Sequence, residues 1–324
     1  MKKIICFVIP VVLIFIILSS CKKDNPFTAP ESLLLPCTPF ILKWGSRGGG
    51  DGQFYAPVAI AVDSSDNVYV TDTESHRVQK FTSEGVYIMQ WGSEGSGDGQ
   101  FAGPAGIAVD SSDNIYVADT ENNRIQKFTS EGGYITQWGS EGNGDSRFYG
   151  ARAIAADSSD NIYVVDIGNN RVQKFTSGGD YILQWGHYGS DEGQFCGPRA
   201  IAADCSDNIY VADTENNRIQ KFTSDGTYIT QWGNYMLQSE TYAYSEGQFY
   251  ELQAIAVDNN GNVYSADGNN RIQKFDSGGV FLSKCGGGGV LDGIFQSPRG
   301  IAIDSSGAVY IADYWNYRIQ KFGN

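Results

Sequence analysis

Aspartate and arginine recur as pairs along this 324-residue chain, and the members of each pair stand four or five residues apart. A carboxylate beside a guanidinium forms charge-assisted and often bidentate hydrogen bonds. A single active site needs one such pair, whereas this chain has six, so the repetition predicts a structural role for all of them. The pairs are Asp72/Arg77, Asp119/Arg124, Asp166/Arg171, Asp213/Arg218, Asp267/Arg271 and Asp313/Arg318.

Residues suited to nucleophilic or metal chemistry are few. The chain has two histidines, His76 and His187, and a Ser-His-Asp site needs a histidine poised beside its nucleophile. We expect both to be solvated loop residues. The Asp-Ser-Ser-Asp-Asn run at 63–67 and the Asp-Asn-Asn-Gly-Asn run at 258–262 do not match the EF-hand spacing of Gly and Glu, so we expect turns there. The sequence therefore predicts no catalytic residue and no metal ligand.

The elements that position these residues are copies of one unit. The run from Ile107 to Gly139 returns almost unchanged from Ile201 to Gly233. A Trp-Gly pair marks five repeats at intervals of 47 residues, and Cys285-Gly286 takes its place in the sixth. A period in the forties built from short strands is typical of a β-propeller.

Each repeat divides into four short apolar segments separated by turns rich in Asp, Asn, Ser and Gly. In the second repeat the predicted strands are Ile107–Asp110, Asn114–Ala118, Arg124–Phe128 and Tyr134–Trp138. The chain ends after a third strand, and the run 40–45 supplies the missing fourth. The sequence thus predicts an all-β, six-bladed β-propeller with four strands per blade, whose last blade is closed by the N-terminal strand. That closure removes a sheet edge.

Two further expectations follow from the repeats. No segment after residue 40 has helical periodicity with caps, so we expect no helix there. The aromatic residues that recur at the positions of Tyr116, Phe128 and Trp138 are expected to pack between blades.

The repeated pattern Phe-x-x-Pro-x-Gly-Ile-Ala-Val-Asp, followed by Asn-Ile-Tyr-Val-Ala-Asp-Thr-x-Asn-Asn-Arg-Ile-Gln-Lys-Phe, resembles the NHL repeat. The resemblance implies a six-bladed propeller but no single activity, because function lies in sites added to a fold. Amidating lyases with a similar propeller hold zinc with several channel histidines, which two histidines in different repeats cannot reproduce. Some NHL propellers bind RNA behind RING and B-box modules. This chain lacks those modules and has a net charge of −14, so no nucleic-acid partner is expected.

The N-terminus has the pattern of a lipoprotein signal. Two lysines precede an apolar run of fifteen residues, and Leu18-Ser19-Ser20-Cys21 resembles a bacterial lipobox. A transmembrane anchor is the alternative, but the run is shorter than the roughly 20 residues that span a bilayer. We expect residues 1–20 to be a signal peptide, 21–39 a Pro-rich tether lipidated at Cys21, and 40–324 the propeller. The predicted location is the outside of a bacterial membrane, in the cell envelope.

The remaining cysteines do not form a disulfide framework. Cys196 and Cys205 flank one predicted strand, which holds them too far apart for a disulfide. The pairing of Cys37 and Cys285 stays open.

The repeats differ most at positions expected around one mouth of the propeller channel. The residue at the start of the first strand is Val58 or Ala105 in two repeats and Arg or Gln in the others. Aromatic residues replace polar ones in the blade 6 turn at 314–317 and in a longer connection near 235–244. Drift on a tolerant loop face is the alternative reading. The predicted ligand-binding residues are Arg152, Arg199, Arg299, Gln253, Trp315, Tyr314, Tyr317, Tyr235 and Tyr242.

Exposed aromatics beside arginines suit a ligand with one anionic group and a flat apolar surface. We therefore expect a non-catalytic binding or scaffold module for a glycan, peptide or protein, without a cofactor. The alternative is a lyase or lactonase that works on a divalent cation in the channel, as related six-bladed propellers do. Acids and amides clustered in the channel would favour that alternative, whereas the arginines favour binding.

Overall fold

The computed structural model describes residues 39–233 and 245–323, and strands dominate both ranges. The helical elements there are single 3₁₀ turns at Thr73–Ser75, Ile167–Asn169 and Tyr314–Asn316. No helix in the described ranges is long and apolar enough to cross a membrane.

Twenty-four strands form six four-stranded antiparallel sheets, which are the blades. The innermost strands are β2 (Pro57–Val62), β6 (Pro104–Val109), β10 (Ala151–Ala156), β14 (Pro198–Ala203), β18 (Ala254–Val257) and β22 (Pro298–Ile303). The second strands are β3 (Val68–Asp72), β7 (Ile115–Asp119), β11 (Ile162–Asp166), β15 (Ile209–Asp213), β19 (Val263–Asp267) and β23 (Val309–Asp313). The third strands are β4 (Arg77–Phe81), β8 (Arg124–Phe128), β12 (Arg171–Phe175), β16 (Arg218–Phe222), β20 (Arg271–Phe275) and β24 (Arg318–Phe322). The outermost strands are β5 (Tyr87–Trp91), β9 (Tyr134–Trp138), β13 (Tyr181–Trp185), β17 (Tyr228–Trp232), β21 (Phe281–Gly286) and β1 (Phe40–Trp44).

The ring closes where the sequence predicts. Strand β1 pairs antiparallel with β24, with Phe40 opposite Phe322 and Trp44 opposite Ile319. The innermost strands of successive blades contact one another in the circular order β2, β6, β10, β14, β18, β22 and back to β2. The last blade therefore has its fourth strand, and the prediction of an all-β six-bladed propeller is confirmed.

The two faces of the ring carry different connections. We call the face where the innermost strands begin, and where second and third strands are joined, the arginine face. We call the opposite face, where innermost and second strands are joined, the aspartate face. On the aspartate face, Asp110 accepts a hydrogen bond from Tyr116, and Ser64 donates to Asp113 of the next blade at 2.7 Å. Equivalent serine–aspartate hydrogen bonds join three other pairs of neighbouring blades, and the sequence did not predict these links.

Aromatic side chains fill the space between blades. Tyr116 and Phe128 are fully buried. The Trp138 ring lies 6.1 Å from the Tyr116 ring and 5.7 Å from the Phe175 ring of the following blade. The first contact is edge-to-face, an arrangement that aromatic pairs prefer, and the second is tilted at 50°. The expected inter-blade role of these residues therefore agrees with the structure.

One strand boundary was wrong. The first strand of the second blade begins at Pro104 rather than Ile107, because a register shift lets Pro104 pair with Asp119 before the regular ladder starts at Ile107. The Pro-Ala-Gly sequence hides this pairing. Three connections contain a single 3₁₀ turn, and the first of these turns ends at His76 in the left-handed conformation, with φ of 51°.

Candidate ligand-binding site at the channel mouth

Four of the predicted binding residues surround one mouth of the channel. Arg152, Arg199 and Arg299 are each the second residue of an innermost strand, and Gln253 immediately precedes the shorter strand of blade 5. Because the six innermost strands run in the same direction around one axis, equivalent residues form a ring. A cavity of about 230 Å³ is lined by these four residues and by their counterparts Val58 and Ala105, among others.

The three arginines influence one another. Burial, together with the positive charges of Arg199 and Arg299, lowers the pKa of Arg152 to about 10. Burial also lowers the pKa of Arg299, and the charge of Arg199 adds to that effect. Like charges gathered in a partly dry site disfavour one another, so this mouth is electropositive in a protein that is acidic overall.

Carboxylates among the described residues do not pair closely with this cluster. None of the ion pairs there includes Arg152, Arg199 or Arg299, and the charge of Glu74 acts to raise the pKa of Arg299 without forming an ion pair with it. The Nε atoms of Arg199 and Arg299 are buried and have no hydrogen-bond partner among the described atoms. A buried donor without a partner is unfavourable, and a buried charge is more so. An anion at the mouth would supply both a counter-charge and acceptors.

The ring is cationic on one side and apolar on the other. The arginines come from blades 3, 4 and 6, whereas blades 1 and 2 contribute Val58 and Ala105, which are both buried. Val58 packs with Ala56 and with Tyr314 of blade 6 in one apolar cluster. A ligand here would therefore meet guanidinium groups on one flank and a hydrocarbon surface on the other.

The predicted aromatic rim is only partly formed. Tyr314 was expected to be exposed, but it is 7% exposed because its ring lies under the Arg299 guanidinium, 3.6 Å from the guanidinium carbon. Trp315 is 50% exposed and its ring centroid lies 4.7 Å from that of Tyr314. Tyr317 has left-handed backbone geometry, and its ring lies 5.4 Å from the guanidinium carbon of Arg47. Tyr235 and Tyr242 lie outside the described residues.

Sequence reasoning missed three tyrosines on the same face. Tyr55, Tyr149 and Tyr250 each follow the repeat phenylalanine that precedes an innermost strand, and all three are exposed. They come from blades 1, 3 and 5, where the other repeats carry Ala, Cys or Gln. Aligning the six repeats at this position would have revealed them.

The histidine expectation was wrong for His76. Its Nδ1 accepts a hydrogen bond from the Gly103 backbone N–H at 3.2 Å, which links blade 1 to blade 2. In the next repeat Asn123 does the same through its side-chain oxygen, accepting from Gly150 N–H at 2.7 Å. His76 therefore stands in for an asparagine as a linker between blades.

The Asp/Arg pairs lie between the second and third strands. The Nε of Arg124 donates to Asp119 Oδ2 at 2.7 Å, and both side chains are buried. The same guanidinium donates through Nη2 to the carbonyls of Gly97 and Gln100 in the connection from the previous blade. Each pair thus fixes that connection to its blade. The charges of the pair bind each other and the connection, and neither residue lines the channel cavity. Corresponding ion pairs are present in all six blades.

Two of the cysteines are free thiols. Cys196 and Cys205 are not bridged, as their positions on either side of a strand predict. The Cys196 thiol lies 2.9 Å from Glu215, and burial and that carboxylate raise the pKa of Cys196 to about 11. Cys21 and Cys37 lie outside the described residues.

The chain matches a known repeat family in five places. The model of the NHL repeat matches residues 54–81, 101–128, 148–175, 195–222 and 295–322. The chain is an NHL-repeat six-bladed β-propeller. The unmatched blade is the fifth, in which Asp267 and Arg271 stand one residue closer than in the other blades and the first strand is shortened.

Solved structures share this architecture at low sequence identity. A Bacteroides thetaiotaomicron protein of unknown function is 21% identical, with a TM-score of 0.67 over 86% of this chain and 74% of its own. Virginiamycin B lyase from Staphylococcus aureus, in a catalytically inactive form with quinupristin, is 17% identical, with a TM-score of 0.57 over 86% and 82%. A gluconolactonase from Xanthomonas campestris is 14% identical, with a TM-score of 0.60 over 84% and 88%. No curated protein matches the sequence. At these identities the likeness shows the fold alone.

Proposed function

We propose that this NHL propeller is a non-catalytic module that binds the carboxylate of a peptide, glycan or protein ligand at the arginine face. The observation that carries the proposal is the group of Arg152, Arg199 and Arg299 at the channel mouth, where two buried Nε atoms have no hydrogen-bond partner among the described residues. A carboxylate can accept two parallel hydrogen bonds from a guanidinium. It would also relieve the repulsion within the cluster.

The size of the cavity limits what can enter. At about 230 Å³ it is smaller than the roughly 300–1,000 Å³ of pockets that enclose a drug-sized ligand. A small acid would fit, and a larger ligand would insert only its acidic end. The rest of such a ligand would lie on the arginine face, where Trp315, Tyr55 and Tyr149 are exposed.

We also propose that the propeller is held at the membrane by a lipid on Cys21. The support is the lipobox-like sequence at 18–21. Cys21→Ser should release the protein from membranes, and unchanged membrane fractionation at unchanged mass would instead indicate a transmembrane signal anchor.

The channel mouth does not suit the alternative of a metal-dependent lyase or lactonase. Divalent cations prefer carboxylate, imidazole, carbonyl or water ligands, whereas three of the polar side chains at this mouth are guanidinium groups. Within the described ranges, no three His, Cys, Asp or Glu side chains are grouped so that they could hold a metal. We therefore derive no catalytic step for this site.

The test compares carboxylic acids with their uncharged amides. The melting temperature of the purified propeller would be measured with glucuronate, 3-phenylpropionate and N-acetyl-phenylalanine, and with the amide of each. Because a ligand of the folded state stabilises it by mass action, we expect at least one acid to raise the melting temperature and its amide to have no effect. Arg199→Gln should abolish the rise.

The matched control is Arg147→Gln. It removes the same charge from a connection where four other repeats carry Gln before the phenylalanine, and it should leave the acid effect intact. If no acid stabilises the protein, or if acids and amides act equally, the proposed function is wrong.

A further inference from the structure

The strongest unassigned feature is a continuous stack of side chains that runs from the channel to the exposed rim. The guanidinium carbon of Arg299 lies 3.6 Å from the Tyr314 ring centroid. The Tyr314 and Trp315 ring centroids are 4.7 Å apart, with the rings at 79°. Tyr314 therefore connects the exposed Trp315 ring to a guanidinium whose buried Nε has no hydrogen-bond partner among the described residues.

Among the described residues, this stack occurs in blade 6 alone. Where blade 6 has Tyr314 and Trp315, the first, second and fourth blades have Thr followed by Glu, and the third has Ile followed by Gly. The other five tryptophans lie on outermost strands between blades, where Trp91 and its equivalents have a buried indole nitrogen. An exposed tryptophan at this turn is therefore not needed to build a blade.

We propose that the site is selective for a carboxylate attached to an aromatic group, with the carboxylate at the arginines and the ring against Trp315. This inference rests on the proposed function and narrows its ligand class. The flank of the mouth beside Tyr314 is made by Val58 and Ala56, so it offers hydrocarbon contact and no side-chain hydrogen bond. An acidic sugar would place hydroxyl groups against that flank. A polar group buried without a partner is disfavoured, whereas an aromatic ring loses nothing there.

The ligand chemistry has two sources, a free aromatic acid or the C-terminal aromatic residue of a peptide. The probes are 3-phenylpropionate for the first and N-acetyl-phenylalanine for the second. Glucuronate and acetate serve as non-aromatic acids. Affinities would be measured by calorimetric titration. We expect the aromatic acids to bind at least about tenfold more tightly than glucuronate, and the tighter of the two identifies the source.

Trp315 provides a separate readout. It is the exposed tryptophan of the six, so acrylamide quenching of intrinsic fluorescence should report mainly on it, and a bound aromatic acid should reduce that quenching. Trp315→Ala should weaken the aromatic acids by about three- to tenfold, as loss of one aromatic pair predicts, and should leave glucuronate unchanged. Trp315→Phe should restore most of the preference.

The outcomes separate the two proposals. If glucuronate binds as tightly as the aromatic acids and Trp315→Ala changes neither, selectivity for an aromatic group is wrong while carboxylate binding stands. If none of the acids binds, both proposals fall. Melting curves of each variant show whether it is folded. If Trp315→Ala is not folded, the double substitution Tyr314→Thr with Trp315→Glu replaces it, because Thr-Glu is the natural pair at this position in three other blades.

Discussion

Arg152 is predicted to destabilise the unliganded protein. Burial and two neighbouring arginines lower its pKa to about 10. A base whose folded pKa lies below its unfolded pKa lowers stability at every pH below the folded value, and the effect disappears only as pH rises above about 10 toward the unfolded pKa. At 1.36 kcal/mol per unit, the unfavourable free energy is about 3 kcal/mol as an upper limit. Water and side-chain adjustment at the mouth reduce it.

Arg152→Gln should therefore stabilise the protein while it weakens anion binding. The position accepts neutral residues, because blade 5 has Gln253 and blades 1 and 2 have Val58 and Ala105 there. We expect a gain of about 1–3 kcal/mol, which in a domain of this size raises the melting temperature by roughly 2–6 °C. A gain in stability together with a loss of binding is expected when charges that bind the ligand destabilise the unliganded protein.

The assay is a melting curve at pH 7 in low salt, with Arg147→Gln as the control for net charge. The control should melt within about 1 °C of the wild type, because substitutions on exposed connections are usually near neutral. A fall in the melting temperature of Arg152→Gln, with the control unchanged, would show that Arg152 supports the fold and would refute the reasoning.

Three other predictions concern the scaffold. Deleting residues 40–45 should cause aggregation or a large fall in melting temperature, because it exposes the edge of β24. Deleting residues 22–36 should leave the melting temperature unchanged. If the 40–45 deletion melts at the same temperature as the wild type, the ring closes another way. Asp119→Ala should destabilise the protein by about 3–5 kcal/mol in denaturant titrations, because it leaves Arg124 buried without its partner, and a loss below 1 kcal/mol would contradict that role. Burial opposes ionisation of Asp110, but hydrogen bonds from Asn114 and Tyr116 outweigh it and lower its pKa. Ionised Asp110 thus contributes to the free energy of unfolding at neutral pH, and this contribution is lost as pH falls below about 4. Asp110→Asn should therefore make the free energy of unfolding less dependent on pH in acid, and an unchanged pH dependence would contradict this role.

The architecture was predictable because the same sequence pattern recurs in every blade. The period fixed six blades, and the unpaired third strand at the C-terminus located its partner at Phe40. The start of the first strand was less clear, since Pro104-Ala-Gly has the composition of a turn but pairs with Asp119 through a register shift. A pairing across a bulge leaves no period in the sequence.

The site was predictable in position but not in detail. Comparing repeats singled out Arg152, Arg199 and Arg299 because they replace small apolar residues at equivalent places, and symmetry then brings them to one mouth. The behaviour of Tyr314 was not predictable, because its burial depends on the Arg299 side chain above it and on Val58 of the neighbouring blade. The link between Ser64 and Asp113 was missed for the same reason, since it joins two repeats and shows in neither alone.

The most direct test of the central claim is one calorimetric comparison of 3-phenylpropionate with its amide. The two probes have the same shape and differ in charge, so their affinity ratio isolates the contribution of the arginines. One charge-assisted pair is worth about 1.5–3 kcal/mol, or roughly ten- to a hundredfold in Kd. The acid should bind more tightly by that factor, and Arg199→Gln should remove most of the difference. Equal affinities for acid and amide, or a ratio unchanged by Arg199→Gln, would contradict it.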